Sequence, residues 1–184
     1  YDNTVNIDDG SCNKIDNNTF TGNTIDVPGG VHLVLIEDIT INSASEYLDL
    51  RGNNITIDGQ GYTITVTATN YPGFIKNGDP CPNPTACTNT PCANCTIKNI
   101  NVAVSGGTLA NQGGWIGQKW FGRNNNGGSI LVENCSSSGN ISIEGGGILG
   151  KWIGIYQKNS STITVNNCYS TGNINGKYLS LIHI

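Results

Sequence analysis

Between Ile25 and Val66 apolar and polar residues alternate in short runs: Val31–Ile36, Ile39–Ile41, Tyr47–Leu50, Ile55–Ile57 and Tyr62–Val66. A period of two predicts strands with one buried face. The runs are separated by Asp38, Asn42-Ser43, Gly52-Asn53-Asn54 and Asp58-Gly59-Gln60-Gly61. Such residues turn a chain through local side-chain hydrogen bonds or a left-handed backbone. Residues 71–95, rich in Pro and Cys, read as an insertion, after which strand signals resume over Thr96–Val104 at Ile97, Ile100, Val102 and Val104. Helical spacing is missing throughout, so the pattern predicts an all-β domain. Strands this short suit a solenoid, a sandwich or a barrel.

An internal repeat chooses among these. Residues 114–141 and 147–174 align without a gap at a spacing of 33, with eleven identities in 28 positions. They fall at Gly114/Gly147, Gly117/Gly150, Asn126/Asn159, Ile130/Ile163, Val132/Val165, Asn134/Asn167, Cys135/Cys168, Ser137/Ser170, Gly139/Gly172, Asn140/Asn173 and Ile141/Ile174. A unit of this size cannot bury an apolar face alone, so copies must stack. Strand-rich units stack as parallel strands, with equivalent positions one above another at about 4.8 Å. Ile130/Ile163, Val132/Val165 and Cys135/Cys168 are therefore expected to point inward. The small, apolar thiols of Cys135 and Cys168 suit a core ladder. Asn134/Asn167 and Asn140/Asn173 are expected to form ladders too, since an amide can donate to one neighbour and accept from the other.

Composition sharpens this picture. Charged residues make up 12% of the chain, Met is absent and Gly reaches 25, a profile of strands and turns and not of helices. No apolar stretch is long enough to span a membrane. Residues 1–79 hold eleven Asp and Glu against Lys14, Arg51 and Lys76. Residues 80–184 hold only Glu133 and Glu144 against Lys98, Lys119, Arg123, Lys151, Lys158 and Lys177. These cations are scattered along the sequence without an Arg-rich run, which argues against nucleic acid as a partner.

Several segments carry a resemblance. Asn54 through Ile64, strand, Asp58-Gly59-Gln60-Gly61 turn, strand, resembles the early coils of pectate-lyase-like right-handed β-helices. Gly146-Gly147-Ile148-Leu149-Gly150 followed by Ile163-Thr-Val-Asn-Asn-Cys-Tyr-Ser-Thr-Gly-Asn-Ile174 resembles the GLUG-type repeats of bacterial surface proteins and of β-helical proteins of large algal viruses. The GLUG-like part covers residues 113–176. Tyr1 to Cys12 resembles the end of the Asp-Asp-Gly-Ser-Cys modules of secreted proteins. Together these imply a right-handed parallel β-helix, extracellular, at a cell surface or on a virion. Its segments would be a module remnant and linker at 1–24, the β-helix at 25–178 and an apolar, non-native tail at 179–184. Of activity they imply little.

Cys81, Cys87, Cys92 and Cys95 suit disulfides pinning an exported loop, with a four-thiolate zinc site as the rival. The Asp8-Asp9-Gly10 turn offers Ca²⁺ fewer oxygens than the ion takes, and no cofactor is required elsewhere. Among the aromatics, Trp115 and Trp120 align with Ile148 and Ile153, which places them in the core. Trp152 and Tyr156 align with Lys119 and Arg123, which makes them the candidates for stacking on a sugar ring. Asp49, Asp58 and Arg51 would have to meet on one face to act on a glycan, and His32 sits in an apolar run. No catalytic set is therefore named. The expected role is a structural or adhesive module with a polysaccharide or cell-surface glycan as partner. The alternative is a fragment of a polysaccharide lyase or glycoside hydrolase of the same fold. Asn-x-Ser/Thr sequons occur at Asn17, Asn54, Asn94, Asn134, Asn140 and Asn159.

Overall fold

The computed structural model describes residues 12–79 and 91–175. They form strands β1 (Asn13–Ile15), β2 (Ile25–Val27), β3 (His32–Leu35), β4 (Ile39–Ile41), β5 (Leu48–Leu50), β6 (Thr56–Asp58), β7 (Thr63–Val66), β8 (Ile75–Lys76), β9 (Cys95–Lys98), β10 (Asn101–Val104), β11 (Ser129–Glu133), β12 (Ser136–Ser137), β13 (Thr162–Asn166) and β14 (Tyr169–Ser170). Helices are absent from the described residues, and every strand pair is parallel.

Three sheets result. The first has the order β1-β3-β6-β9-β11-β13, the second β14-β12-β10-β7-β4 and the third β2-β5-β8. From β3 onward the chain visits them in one cyclic order, first, second, third, first, so each strand returns beside its predecessor only after a full circuit. This is how parallel neighbours are joined here without helical crossovers. After β8 the third sheet continues as isolated bridges, Ile75 to Gly117 and Gly117 to Leu149.

Registers show why the alternating runs fold this way. In the first sheet Leu33, Ile57, Ile97, Val132 and Val165 are successive partners. In the second they are Ile39, Ile64 and Val102, and in the third Ile25, Leu48 and Ile75. All these side chains except Val165, on the outermost strand, are buried in one cluster, each contributing about 1.5–3 kcal/mol. Residues between them face out, giving the buried–exposed–buried pattern of β2 and β4. Pairs Ile130/Ile163 and Val132/Val165 lie in register on β11 and β13.

Farther along, the second sheet exchanges its apolar column for hydroxyls. Val102 is followed by Ser137 and Ser170, and Ser137 Oγ donates to the Gly147 carbonyl at 2.6 Å and lies 2.9 Å from Ser170 Oγ. The volume is taken by Trp115, wholly buried, whose Nε1 donates to the Gly139 carbonyl at 3.0 Å. Residue 139 must be glycine, because a Cβ there would lie 2.3 Å from Trp115 Cε2.

Four expectations are corrected. The sheet already begins at Asn13, since β1 pairs with β3, so the linker assigned to 1–24 contributes a strand. Residues 71–79 belong to the fold, not to an insertion: Tyr71, Phe74 and Ile75 are wholly buried, and Tyr71 Oη donates to the Glu46 carbonyl at 2.8 Å. Pro72-Gly73 had disguised an apolar segment as loop. Thr96–Val104 is two strands, broken at Asn99, whose φ is 55°.

The fourth concerns register. Over the Gly-rich turns the two copies pair 32 residues apart, as in Gly114 with Gly146, Gly117 with Leu149 and Asn126 with Lys158. Left-handed residues follow the same spacing: Gln112/Glu144, Trp120/Trp152, Gly122/Gly154, Asn124/Tyr156 and Gly127/Asn159. Spacing becomes 33 only at Ser129/Thr162. The second copy carries one extra residue, at Ser160, left-handed beside Asn159 with φ 58°.

Candidate functional site

The corrected register assembles a cluster that the gapless alignment had dispersed. Trp120 and Trp152 occupy equivalent left-handed positions, with φ of 69° and 63°, on consecutive circuits. Their rings stack at 4.1 Å with an interplanar angle of 24°. Trp120 is therefore only partly buried and belongs to this stack, not to the core beside Trp115. The Arg123 guanidinium lies 4.5 Å from the Trp120 ring centre and 5.2 Å from that of Tyr156. It is 4% exposed, and its Nη1 donates to the Asp79 carbonyl at 3.4 Å. A cation held against two rings fixes both at little entropic cost.

On this support Trp152 remains 37% and Tyr156 52% exposed. Lys151 Nζ sits 4.5 Å from the Trp152 ring and 2.8 Å from Glu144 Oε1. Glu144 also accepts from Gln112 Nε2 at 2.7 Å, and hydrogen bonds from Lys151 and Gln112 hold its carboxyl below the ordinary value. The face thus offers two rings and fixed hydrogen-bonding groups around them. Chemically it can stack on a planar or pyranose ring and bond its polar rim.

The gapless alignment marks Trp152 and Tyr156 as members of this face, but not Trp120, Arg123 or Lys151. A signal was present. At a spacing of 32, Gly113-Gly114, Ile116, Lys119-Trp120 and Gly122 match Gly145-Gly146, Ile148, Lys151-Trp152 and Gly154.

The asparagines form surface ladders at the corners between first and second sheets. Asn167 Nδ2 donates to Asn134 Oδ1 at 2.7 Å, Asn134 Nδ2 to Asn99 Oδ1 at 3.4 Å, and Asn99 Nδ2 to Asp58 Oδ1 at 2.9 Å. Asn99, Asn134 and Asn167 share a left-handed backbone, with φ of 55°, 52° and 48°, which Asn tolerates well. Asn140 and Asn173 are also exposed, and Asn140 Oδ1 accepts from the backbone N–H of Asn173 at 3.2 Å. These four amides are thus not in the core. Elsewhere Asn94 Nδ2 donates to Asn54 Oδ1 and Asn159 Nδ2 to Asn126 Oδ1, so sequon amides are engaged within the fold.

Cys135 and Cys168 are both buried. A hydrogen bond between them holds the proton on Cys135, whose thiol is raised, and draws Cys168 down to about 7. Cys92 and Cys95 form a disulfide, which removes the thiolates of the only zinc-knuckle spacing from any metal shell. Cys81, Cys87 and the Asp8-Asp9-Gly10 turn lie outside the described residues. Cys12 is exposed, its Sγ 3.3 Å from His32 Nδ1, so His32 faces out of its strand.

Asp49 and Asp58 do not meet. Asp49 lies on the third sheet, 2.7 Å from Arg51 Nη2 and 2.9 Å from Lys76 Nζ. Burial pushes its carboxyl above the ordinary value despite both cations. Burial also works against the Lys76 ammonium, but Asp79 and Asp49 outweigh it and raise it. Asp58 ends β6 on the first sheet, accepting from the Gln60 N–H at 2.9 Å and pairing with Lys98 at 3.3 Å. Burial opposes its ionisation, yet Asn99, Gln60 and Lys98 prevail and hold it below the ordinary aspartate value. Among the described residues no helix is long and apolar enough to cross a membrane. Compared with family models, curated proteins and solved structures, the chain matches none.

Proposed function

We propose that this chain is a right-handed parallel β-helix of GLUG-like coils, exported to a cell surface or virion, that serves as a structural and adhesive module binding glycans. Support for the fold comes from the cyclic visiting of three parallel sheets and from burial of one face only. Parallel sheets are ordinarily covered on both faces by helices, and a coil that wraps its own interior is the arrangement that needs none. The Cys92–Cys95 disulfide favours an oxidising compartment.

The observation that carries the binding function is Trp152, exposed yet stacked on Trp120, with Tyr156 beside it on Arg123. A preorganised aromatic face binds without the entropic cost of ordering its side chains. The lyase or hydrolase reading gains no comparable observation, because Asp49 is closed in by Arg51 and Lys76 and Asp58 is spent on the turn and the Asn99 ladder. The test is sedimentation of the full chain with insoluble polysaccharides, with intrinsic Trp fluorescence as a second readout. Trp152→Ala and Tyr156→Ala should each reduce binding by about tenfold, about 1.4 kcal/mol. Binding unchanged in both variants, with circular dichroism intact, overturns the reading.

A further inference from the structure

One residue before Trp120, Lys119 lines a groove of about 540 Å³ whose lining also includes Tyr47, Asn70, Pro72, Asn111 and Gln118. These residues come from three successive circuits, and Lys119 immediately precedes Trp120 on the third. The next circuit supplies Glu144, Lys151, Trp152 and Tyr156. Leu48, Ile75, Gly117 and Leu149 pair in sequence on the third sheet at these levels. Groove and aromatic face therefore run across the strands over three intervals of about 4.8 Å, about 14 Å in all. That length exceeds one sugar ring and matches a short oligosaccharide.

Cations outnumber acids around the groove and the aromatic face. Lys119, in the groove lining, and Lys158, two residues beyond Tyr156, are exposed, and neither forms an ion pair among the described residues. Arg123 lies under the rings and Lys151 at their edge. Against these four cations stand Glu144, already bonded to Lys151 and Gln112, and Asp79, whose carbonyl accepts from Arg123 and whose carboxylate pairs with Lys76. The groove lining contains no acid. Glu46, beside its wall, turns both oxygens onto the backbone N–H groups of Gly22, Asn42 and Ser43. Stacking thus sets Lys119 and Lys151 at equivalent positions on consecutive circuits, with Arg123 under the rings.

We infer that the strip binds a linear anionic polysaccharide, carboxylated or sulfated, lying across the strands from the Tyr47–Lys119 groove to the Trp152–Tyr156 face. This rests on the glycan-binding reading above and adds to it charge, direction and length. Rings supply the stacking surface, Lys119 and Lys158 meet the anionic groups, and Asn70, Asn111 and Ser45 offer hydrogen bonds along the groove.

The experiment measures affinity of the full chain for alginate (carboxylated), a carrageenan (sulfated), dextran (neutral) and a single-stranded DNA oligonucleotide at low and high salt. Alginate disaccharide and hexasaccharide form a second series. The expected result is binding of one or both anionic glycans over dextran, weakening with salt. Lys119→Gln with Lys158→Gln should lower it about tenfold, as two exposed charge contacts warrant. Tyr47→Ala should weaken the hexasaccharide several-fold and leave the disaccharide unchanged. Preference between alginate and carrageenan identifies the anionic group. Equal binding of dextran, insensitive to the lysine variants, overturns the inference while leaving the aromatic face as a glycan site. Tightest binding to the oligonucleotide overturns it in favour of nucleic acid. Binding of none of these polymers overturns the inference and the proposed function together.

Discussion

Replacing Asn134 by Ala tests whether the corner ladder holds successive circuits in register. Asn134 accepts from Asn167 Nδ2 at 2.7 Å and donates to Asn99 Oδ1 at 3.4 Å, with φ at 52°. Its side chain is exposed, so water recovers part of each lost bond and the pair is worth about 1–1.5 kcal/mol. A left-handed backbone costs Ala about 1 kcal/mol more, because its Cβ crowds the following carbonyl and offers no compensating hydrogen bond. The expected loss is about 2–2.5 kcal/mol, or about 5–10 °C in Tm for a chain of this size. Asn134→Asp retains the acceptor toward Asn167 and tolerance of the backbone, and forfeits only the longer bond. It should lose about a third as much. A double-mutant cycle of Asn134→Ala and Asn167→Ala, followed by urea unfolding, should give a coupling of about 0.5–1 kcal/mol. A Tm shift below about 2 °C for the alanine variant, or additive single effects, would show that the ladder decorates the corner without holding it.

Further outcomes are expected. Gly139→Ala forces a methyl to within 2.3 Å of Trp115 and should destabilise by about 1–3 kcal/mol; an unaltered melt would place Trp115 elsewhere. Ser160→Gly relieves a left-handed serine at an exposed turn and should stabilise by up to about 1 kcal/mol, so a lower Tm would deny the one-residue insertion. Asp58, held below its ordinary value of 3.8, contributes stability above that value that is lost as pH falls through its lower folded value. Asp58→Asn should therefore flatten acid unfolding in that window, and an unchanged pH profile would dismiss the ladder's charged end. Thiol mapping under mild alkylation should label Cys168 before Cys135, and the reverse order would contradict the proton's placement on Cys135.

How much of this was legible depends on what each residue's signal reports. Burial alternation at Leu33, Ile39, Ile57, Ile64 and Ile97 was readable because a strand side chain has only two faces, so hydrophobicity alone assigns it. Strand pairing at Ile130/Ile163 and Val132/Val165 followed from the repeat, where sequence identity and spatial register coincide. Tyr71, Phe74 and Ile75 were obscured because Pro72-Gly73 is the same punctuation whether it ends a domain or bends a chain between two buried anchors. The Gly-rich turns misled for a related reason. Glycine is selected there for backbone conformation and close approach, so Gly114/Gly147 and Gly117/Gly150 match at a spacing that the chain does not use in these turns. Information about register lay instead in Lys119-Trp120 and Lys151-Trp152, identical at 32 but outvoted by a longer run of matches at 33.

The choice between a register of 32 and one of 33 decides what the site can be. With Trp152 opposite Lys119, as in the gapless alignment, the tryptophan is an isolated ring on a polar face, and Arg123 has only Tyr156 as its counterpart. With Trp152 opposite Trp120, the two indoles stack, Arg123 spans Trp120 and Tyr156, and Lys119 and Lys151 fall on one side. Removing Ser160 leaves that pairing intact, since the extra residue lies after the turn and before β13. The insertion's effect is confined to restoring the 33-residue spacing that brings Ile163 beneath Ile130. Stacked parallel sheets can thus let their turns and their strands repeat at different lengths, provided the difference is absorbed where a left-handed residue is tolerated, and Asn159-Ser160 is where this chain absorbs it.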